Sequence, residues 1–309
     1  MIDLRDNINL WGPPPSAADT LRTFDAARLA AYPAPRGGRL RPALARFLGV
    51  PAGSLALGCG SDELIDLAFR LAGPGAGLDC RDPEFSMVPV FARANGLRRD
   101  AGGDVKYLSA PHNPTGALPS EAEIRALLRA PARLVILDGA YAEFGDGPDW
   151  FTEALASDRV LVIRTFSKAW GLAGLRLGYA VGAPPLISRL EALRSPYSVS
   201  VVAEEIGAAV IARDAVWMRD RCRDTIASRE RLLDALRELG AAPLPSRANF
   251  VLLPVPGAAA IAARLFERGI AVRLLEALPG IGDAIRIGVG PWPLMGRFLA
   301  AFQEAMACA

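Results

Sequence analysis

Of the 35 basic side chains in this chain only two are lysines, Lys106 and Lys168, and there is a single histidine, His112. So strong a preference for arginine singles out the two lysines as positions where arginine would not serve. A guanidinium stays protonated, whereas an amine can lose its proton and attack a carbonyl carbon. Lys168 lies in Arg164-Thr-Phe-Ser-Lys168-Ala-Trp-Gly-Leu-Ala-Gly-Leu-Arg176-Leu-Gly-Tyr179, which reads as a strand end, a Gly-rich loop and a second strand. The hydroxyls of Thr165 and Ser167 and the guanidinium of Arg176 are phosphate-binding groups beside that amine. Without such neighbours the stretch is only a loop with a solvated lysine. With one histidine, neither a histidine-based triad nor a multi-histidine metal site is expected.

Three further stretches carry polar groups at strand ends. Asp138 closes the apolar run Leu134-Val-Ile-Leu-Asp138 and is followed by Gly-Ala-Tyr141. A carboxylate there is often a turn residue. Its functional reading is a partner for a protonated ring nitrogen that keeps the ring an electron sink, with Tyr141 reaching the ring's phenolic oxygen. Asn113, in Ala110-Pro-His-Asn113-Pro-Thr-Gly116, lies among strong turn formers. Its amide could donate to the same oxygen, while His112 reads as a loop residue. Gly60-Ser61-Asp62, after Leu57-Gly-Cys, is a glycine turn feeding a helix, whose exposed N–H groups suit a phosphate. That turn also fits a rival: a Gly-x-Gly nucleotide loop with Asp79 as the ribose-binding acid, as in methyltransferases or dehydrogenases. The third glycine is missing, however, and the strand before Asp79 is poor.

These groups need a scaffold, and the hydrophobic pattern supplies one. Apolar strand runs are expected at 55–58, 105–109, 134–138, 160–164 and 177–182, with helical stretches near 61–71, 86–95 and 120–129. Buried strands separated by helices point to a mostly parallel α/β sheet. Beyond about residue 195 the pattern changes. One long Arg/Glu-rich, solvent-facing connecting helix is expected over 201–239. Strands at 249–253, 271–275 and 284–289 and helices at 258–268 and 293–306 follow, as a smaller α+β unit. The segment 13–15 reads as a turn or extended entry. The expected division is a large domain over 33–200 and a small one formed by 1–32 and 201–309.

Composition narrows the class. The chain has 309 residues, half of them hydrophobic, and a formal net charge of +2. That balance gives no reason to expect nucleic acid or an anionic membrane as a partner. No stretch approaches a secretory signal or a membrane span, and the four cysteines, Cys59, Cys80, Cys222 and Cys308, form no Cys-x-x-Cys pair. A cytoplasmic protein is expected.

In order and approximate spacing, these motifs resemble the fold-type I pyridoxal-phosphate (PLP) aminotransferases. Within them the chain is most similar to the histidinol-phosphate aminotransferases and the threonine-phosphate decarboxylases. The resemblance covers essentially the whole chain. It implies the PLP-transferase fold of type I and pyridoxal 5'-phosphate as cofactor. The reaction implied moves an amino group between a small-molecule amino donor and a keto acceptor; the alternative is a PLP-dependent decarboxylase or lyase using the same residues. It further implies that Lys168 holds the cofactor covalently, that Asp138 binds the ring nitrogen, and that Asn113 and Tyr141 bind the ring hydroxyl. Thr165, Ser167, Arg176 and the Gly60, Ser61, Asp62 turn would hold the phosphate, with Phe85 stacked on the ring.

Asn7-Ile-Asn9-Leu-Trp-Gly-Pro resembles the family's opening loop, with Asn9 facing substrate. Tyr32-Pro33 resembles the tyrosine that reaches the neighbouring subunit's phosphate, which implies a homodimer with shared sites. Arg286, in Ala284-Ile-Arg286-Ile-Gly-Val-Gly, is implied to bind the substrate's carboxylate or phosphate. Arg273 matches a second arginine that holds a dianion. Departures are Gly139, where an acidic residue commonly follows the aspartate, and His112 in place of asparagine. The chain also begins close to the opening loop, with no arm before it, which favours a plain amino acid over histidinol phosphate.

Overall fold

In the computed structural model, which describes residues 1–307, a seven-stranded sheet forms the centre of the molecule. Its order is Leu55–Cys59, Leu177–Val181, Val160–Thr165, Leu134–Asp138, Val105–Ser109, Gly77–Asp79, Arg98–Arg99. The last five pair in parallel. Leu177–Val181 alone runs antiparallel to both its neighbours. The sheet is thus mixed and mostly parallel, as the apolar runs predict. Four strands are buried at every residue, because helices cover both faces. Leu64 and Phe69 of Gly60–Ala72, Val88 of Met87–Ala94 and Ile187 of Pro184–Leu193 pack on one face. Leu44 of Leu40–Leu48, Ile124 of Glu121–Arg129 and Val210 of Val201–Arg213 pack on the other.

A three-stranded antiparallel sheet follows, in the order Arg273–Leu278, Gly282–Gly288, Phe250–Pro254. Its apolar side chains share a separate cluster with Leu232 and Leu236 from Ala215–Glu238 and with Phe298 and Phe302 from Trp292–Ala307. The chain's first residues belong here as well: Ile2–Asp3 pairs in parallel with Ile270–Ala271. No helix of the described residues is long and apolar enough to cross a membrane. Cys59, Cys80 and Cys222 are free thiols; Cys308 lies outside the described residues.

Several expectations need correction. The region 201–239 is two helices, Val201–Arg213 and Ala215–Glu238, broken at Asp214. Asp214 is buried and its carboxylate accepts the Ser16 amide at 3.0 Å, so it serves a distant backbone donor and leaves the helical path. Nor is the second helix only solvent-facing, since Arg229 is 1% exposed. Pro15 opens the helix Pro15–Arg22 where an extended segment is expected; proline suits the first helical turn because that N–H needs no partner. The helices Leu40–Leu48 and Pro184–Leu193 and the edge strand Arg98–Arg99 have no counterpart in the sequence pattern. Gly77–Asp79, the poor strand that ends on the supposed ribose acid, is a real but short element between Val105–Ser109 and the edge strand.

Arg229 ties these layers together. Its Nη1 donates to the carbonyls of Phe144 and Ala248, both at 3.1 Å, linking the segment after Asp138 to the one before Asn249. Replacing it strands two buried acceptors and opens a cavity. Arg229→Ala is expected to lower stability by roughly 2–5 kcal/mol, read as a shift in the urea midpoint.

Candidate active site

The parallel strands end along one edge of the sheet, where open α/β folds bind ligands. Ser109 and Asp138 stand opposite each other in register, and Asp138 is opposite Ile163 on its other side. Asp138 is buried. The Tyr107 hydroxyl donates to its Oδ2 at 2.6 Å and the Ala140 amide to its Oδ1 at 2.9 Å. Burial pushes the Asp138 carboxyl above its ordinary range, while these two donors and the charge of Arg164 pull it back. Its hydrogen-bond partners are a hydroxyl and an amide, neither of them cationic. The carboxylate therefore still lacks a positive partner at the cavity.

Lys168 is presented by the turn that follows Val160–Thr165. Phe166 and Trp170 anchor that turn, both buried and stacked with ring centroids 5.7 Å apart. The Gly171 amide closes it on the Lys168 carbonyl at 3.1 Å. Gly171 has φ of +66°, and a Cβ there would lie 2.6 Å from the Gly12 carbonyl oxygen, so only glycine fits. Lys168 Nζ donates to the Asp6 carbonyl at 3.0 Å and sits 5.6 Å from the centre of the Tyr141 ring. The Tyr141 hydroxyl accepts the Asn7 amide at 3.1 Å.

The phosphate-type groups meet at one corner. The helix Gly60–Ala72 begins there, leaving its first N–H groups free of helical partners. Gly60 has φ of +77°, and a Cβ on it would be 2.6 Å from Arg176 Nη2. Arg176 Nη2 donates to Asp62 Oδ2 at 3.0 Å. The hydroxyls of Thr165 and Ser167 are 2.9 Å apart.

A cavity of about 310 Å³ joins these groups, lined by Ser61, Asp62, Phe85, Asn113, Asp138, Tyr141, Thr165, Ser167, Lys168 and Arg176. A larger one, about 830 Å³, opens behind Gly139 towards Arg247, but neither Lys168 nor Arg176 borders it. The amine and the groups suited to an anion share the smaller cavity, which makes it the candidate site.

Other expected residues stand outside its wall. Asn9 Nδ2 donates to the Ala169 carbonyl at 3.1 Å, and its Oδ1 accepts the Trp11 N–H at 3.0 Å. From the opening loop it is Asp6 and Ile8 that line the cavity. Arg286 touches the site through Asn113, donating to its Oδ1 at 2.8 Å, and Arg273 pairs with the Asp6 carboxylate. Tyr32 is 82% exposed and stacks on Tyr197 away from the cavity. His112 is a loop residue, buried with both ring nitrogens hydrogen-bonded. Sequence reasoning missed Tyr107, Ser109 and Asp6. The first two lie on a strand it located, two residues apart and so on one face.

Comparison with known proteins agrees with this geometry. Residues 100–301 match the family model for aminotransferase class I and II. Histidinol-phosphate aminotransferase 1 of Ralstonia nicotianae is 38% identical over 89% of this chain and 81% of its own length. The histidinol-phosphate aminotransferase of Roseiflexus castenholzii is likewise 38% identical, over 94% of this chain and 85% of its own. In structure, the histidinol-phosphate aminotransferase of Sinorhizobium meliloti, solved in complex with pyridoxal-5'-phosphate, superposes with a TM-score of 0.90 at 26% identity, covering 99% of this chain and 91% of that one. The chain thus belongs to the class I and II aminotransferases, and is a pyridoxal-phosphate-dependent aminotransferase.

Proposed function

We propose that this aminotransferase takes the amino group from a phosphorylated amino alcohol of the histidinol-phosphate kind and passes it to a 2-oxo acid. The observation that carries this reading is the cross-strand placement of Arg273 directly opposite Arg286 in the antiparallel sheet. Opposed residues of a ladder project from the same face, and two cations so placed repel each other unless an anion lies between them. Arg273 is met by Asp6, a residue of the cavity wall. Arg286 reaches that wall through Asn113, and its Nε is buried without a partner. A dianionic phosphate answers two guanidiniums better than a single carboxylate does. Of the two guanidiniums, Arg273 has among the described residues only the Asp6 carboxylate as counter-charge, and Arg286 has only neutral acceptors, Asn113 and the Arg5 carbonyl.

The residues present fit the cofactor. A buried carboxylate without a cation suits a protonated ring nitrogen, and a helix N-terminus with Arg176 and two hydroxyls suits a phosphate. When bound, pyridoxal phosphate supplies an aldehyde that takes up the donor's amino group and a ring that draws electrons from the carbon bearing it. On this reading Lys168 would hold the cofactor, and its amine would serve as the general base that moves the proton from the substrate carbon. Asp138 holds the ring-nitrogen proton in place. Asn113 and Tyr141 orient the ring oxygen, and Phe85 covers one ring face.

The same reading makes the protein a homodimer. Tyr32 and Tyr197, 82% and 44% exposed, stack with centroids 4.8 Å apart and form an aromatic patch suited to a partner's surface. Tyr32 would there complete the partner's phosphate corner.

Three outcomes follow from these assignments. Borohydride treatment and peptide mapping should place the cofactor on Lys168 and leave Lys106→Ala labelled like wild type; label on Lys106 would refute the assignment. Arg273→Ala and Arg286→Ala should each lower kcat/KM for histidinol phosphate at least about tenfold, since a hydrogen bond to a charged group contributes roughly 1.5–3 kcal/mol. A mild Arg273→Ala effect beside a severe Arg286→Ala effect would point to a plain amino acid instead. Sedimentation at assay concentration should show a dimer, and fully active monomers would disprove the shared site.

A further inference from the structure

Glu84 has no part in that scheme, yet it stands directly behind it. It precedes Phe85 in Asp82-Pro83-Glu84-Phe85, and its side chain is 4% exposed. Oε1 accepts the Ser109 hydroxyl at 2.7 Å and the Phe85 amide at 2.9 Å. The Ser109 oxygen in turn accepts the Asn113 amide at 3.4 Å. Phe85, Ser109 and Asn113 all line the cavity. One buried carboxyl therefore sits behind both the aromatic cover and the loop that carries Asn113. Its second oxygen, Oε2, is buried with no partner.

The surroundings decide its charge. His112 Nε2 is 3.7 Å from the carboxyl, close enough for an ion pair if the ring were protonated. It is not. Nε2 is 3.0 Å from the Pro83 carbonyl, which can only accept, so the proton is on Nε2. Nδ1 lies 2.7 Å from the Thr115 hydroxyl, which can donate to a neutral ring. Burial and the charge of Arg81 push His112 down to about 4. From the neighbouring strands Glu84 faces Asp138, a second buried carboxyl, and Tyr107, a phenol whose burial holds its proton. From its own segment it faces Cys80, a thiol raised by burial, and Arg81, which is partly exposed and lies 3.6 Å from Glu123. An ionised Glu84 would have no buried cation.

We propose that Glu84 is a positioning residue of this active site: as a neutral carboxylic acid it holds the Phe85 ring and the Asn113 loop in place, whereas ionising it would leave a buried charge with no cation and a partnerless Oε2, which draws the segment towards water and loosens both. The proposal rests on the reading of Phe85 and Asn113 as cofactor contacts. Burial raises the Glu84 carboxyl from 4.5 to about 7, opposed by its two hydrogen bonds and by Arg81. A carboxyl raised on folding contributes stability that is complete below its unfolded value and disappears as pH rises through the folded one. The affected window thus runs from about 4.5 to about 7 and centres the change near neutrality.

Glu84→Gln keeps the accepting oxygen and removes the charge at every pH. If the neutral acid alone supports the loop, one pH unit above its midpoint leaves about a tenth of the protein competent, so cofactor affinity should fall roughly tenfold between about pH 6 and about pH 8. The measurement is pyridoxal phosphate affinity by titration of the stripped dimer, together with difference infrared spectra of the loaded protein for the protonated carboxyl band. Wild type should show the fall and a band that titrates near neutrality. Glu84→Gln should show neither and bind at all pH values as wild type does at low pH. Glu84→Ala, which removes the acceptor, should bind weakly throughout. A pH-independent affinity and band in wild type, with the cofactor on Lys168, would overturn this proposal alone. Cofactor absent from Lys168 would overturn the functional reading and this proposal with it.

Discussion

The site depends on one electrostatic constraint: a carboxylate at the end of a strand that is buried along its whole length. Moving Asp138 out of water costs several kcal/mol. Its two hydrogen bonds, from Tyr107 and Ala140, return roughly 1.5–3 kcal/mol each if the group is ionised. That leaves the carboxylate tolerable but short of a positive partner, and the opening at the cavity is where one can arrive. The parallel pairing of Val105–Ser109, Leu134–Asp138 and Val160–Thr165 follows the same logic. Register aligns Ser109 with Asp138, so two polar strand ends meet at the one edge where water or ligand can satisfy them.

Much of this was readable in the sequence, for identifiable reasons. Strands buried on both faces appear as unbroken apolar runs, and 134–138 and 105–109 coincide with the observed elements. Lys168, Asp138, Asn113 and Arg176 stand at strand ends or in glycine-rich turns, where a polar residue has few structural reasons to be. Edge strands are different. Arg98–Arg99 contributes two exposed arginines and no apolar signal. The helix Leu40–Leu48 carries Arg41, Pro42 and Arg46, which obscure its periodicity, although a proline in the first turn costs little.

The missed site residues fall into two kinds. Tyr107 and Glu84 act from behind the wall, so nothing in their local sequence marks them; only the packing of one strand end against another does. The opening loop is the second kind. Asn7 has φ of +52°, a left-handed turn that asparagine tolerates, and it rotates which side chains of that loop meet the cavity. Asp6 and Ile8 are brought to the wall while Asn9 is turned onto Ala169. A motif match carries the loop's position but cannot carry a reversal of φ.

That opening segment joins the two sheets through the site itself. Ile2–Asp3 extends the C-terminal unit, and the Gly288 amide donates to the Leu4 carbonyl at 2.8 Å. Further along, Arg286 donates to the Arg5 carbonyl at 3.0 Å and Asn249 to the Asn7 carbonyl at 2.9 Å. From the other side Asn7 donates to Tyr141 and Lys168 to the Asp6 carbonyl. Asp6 is thus shared between the two sides, its carboxylate on Arg273 and its carbonyl on the Lys168 amine. An anion that replaces the carboxylate at Arg273 acts on the same residue that holds the amine. On the proposed assignments, the arginines of the small sheet and the position of Lys168 at the large one would be coupled through a single stretch of backbone.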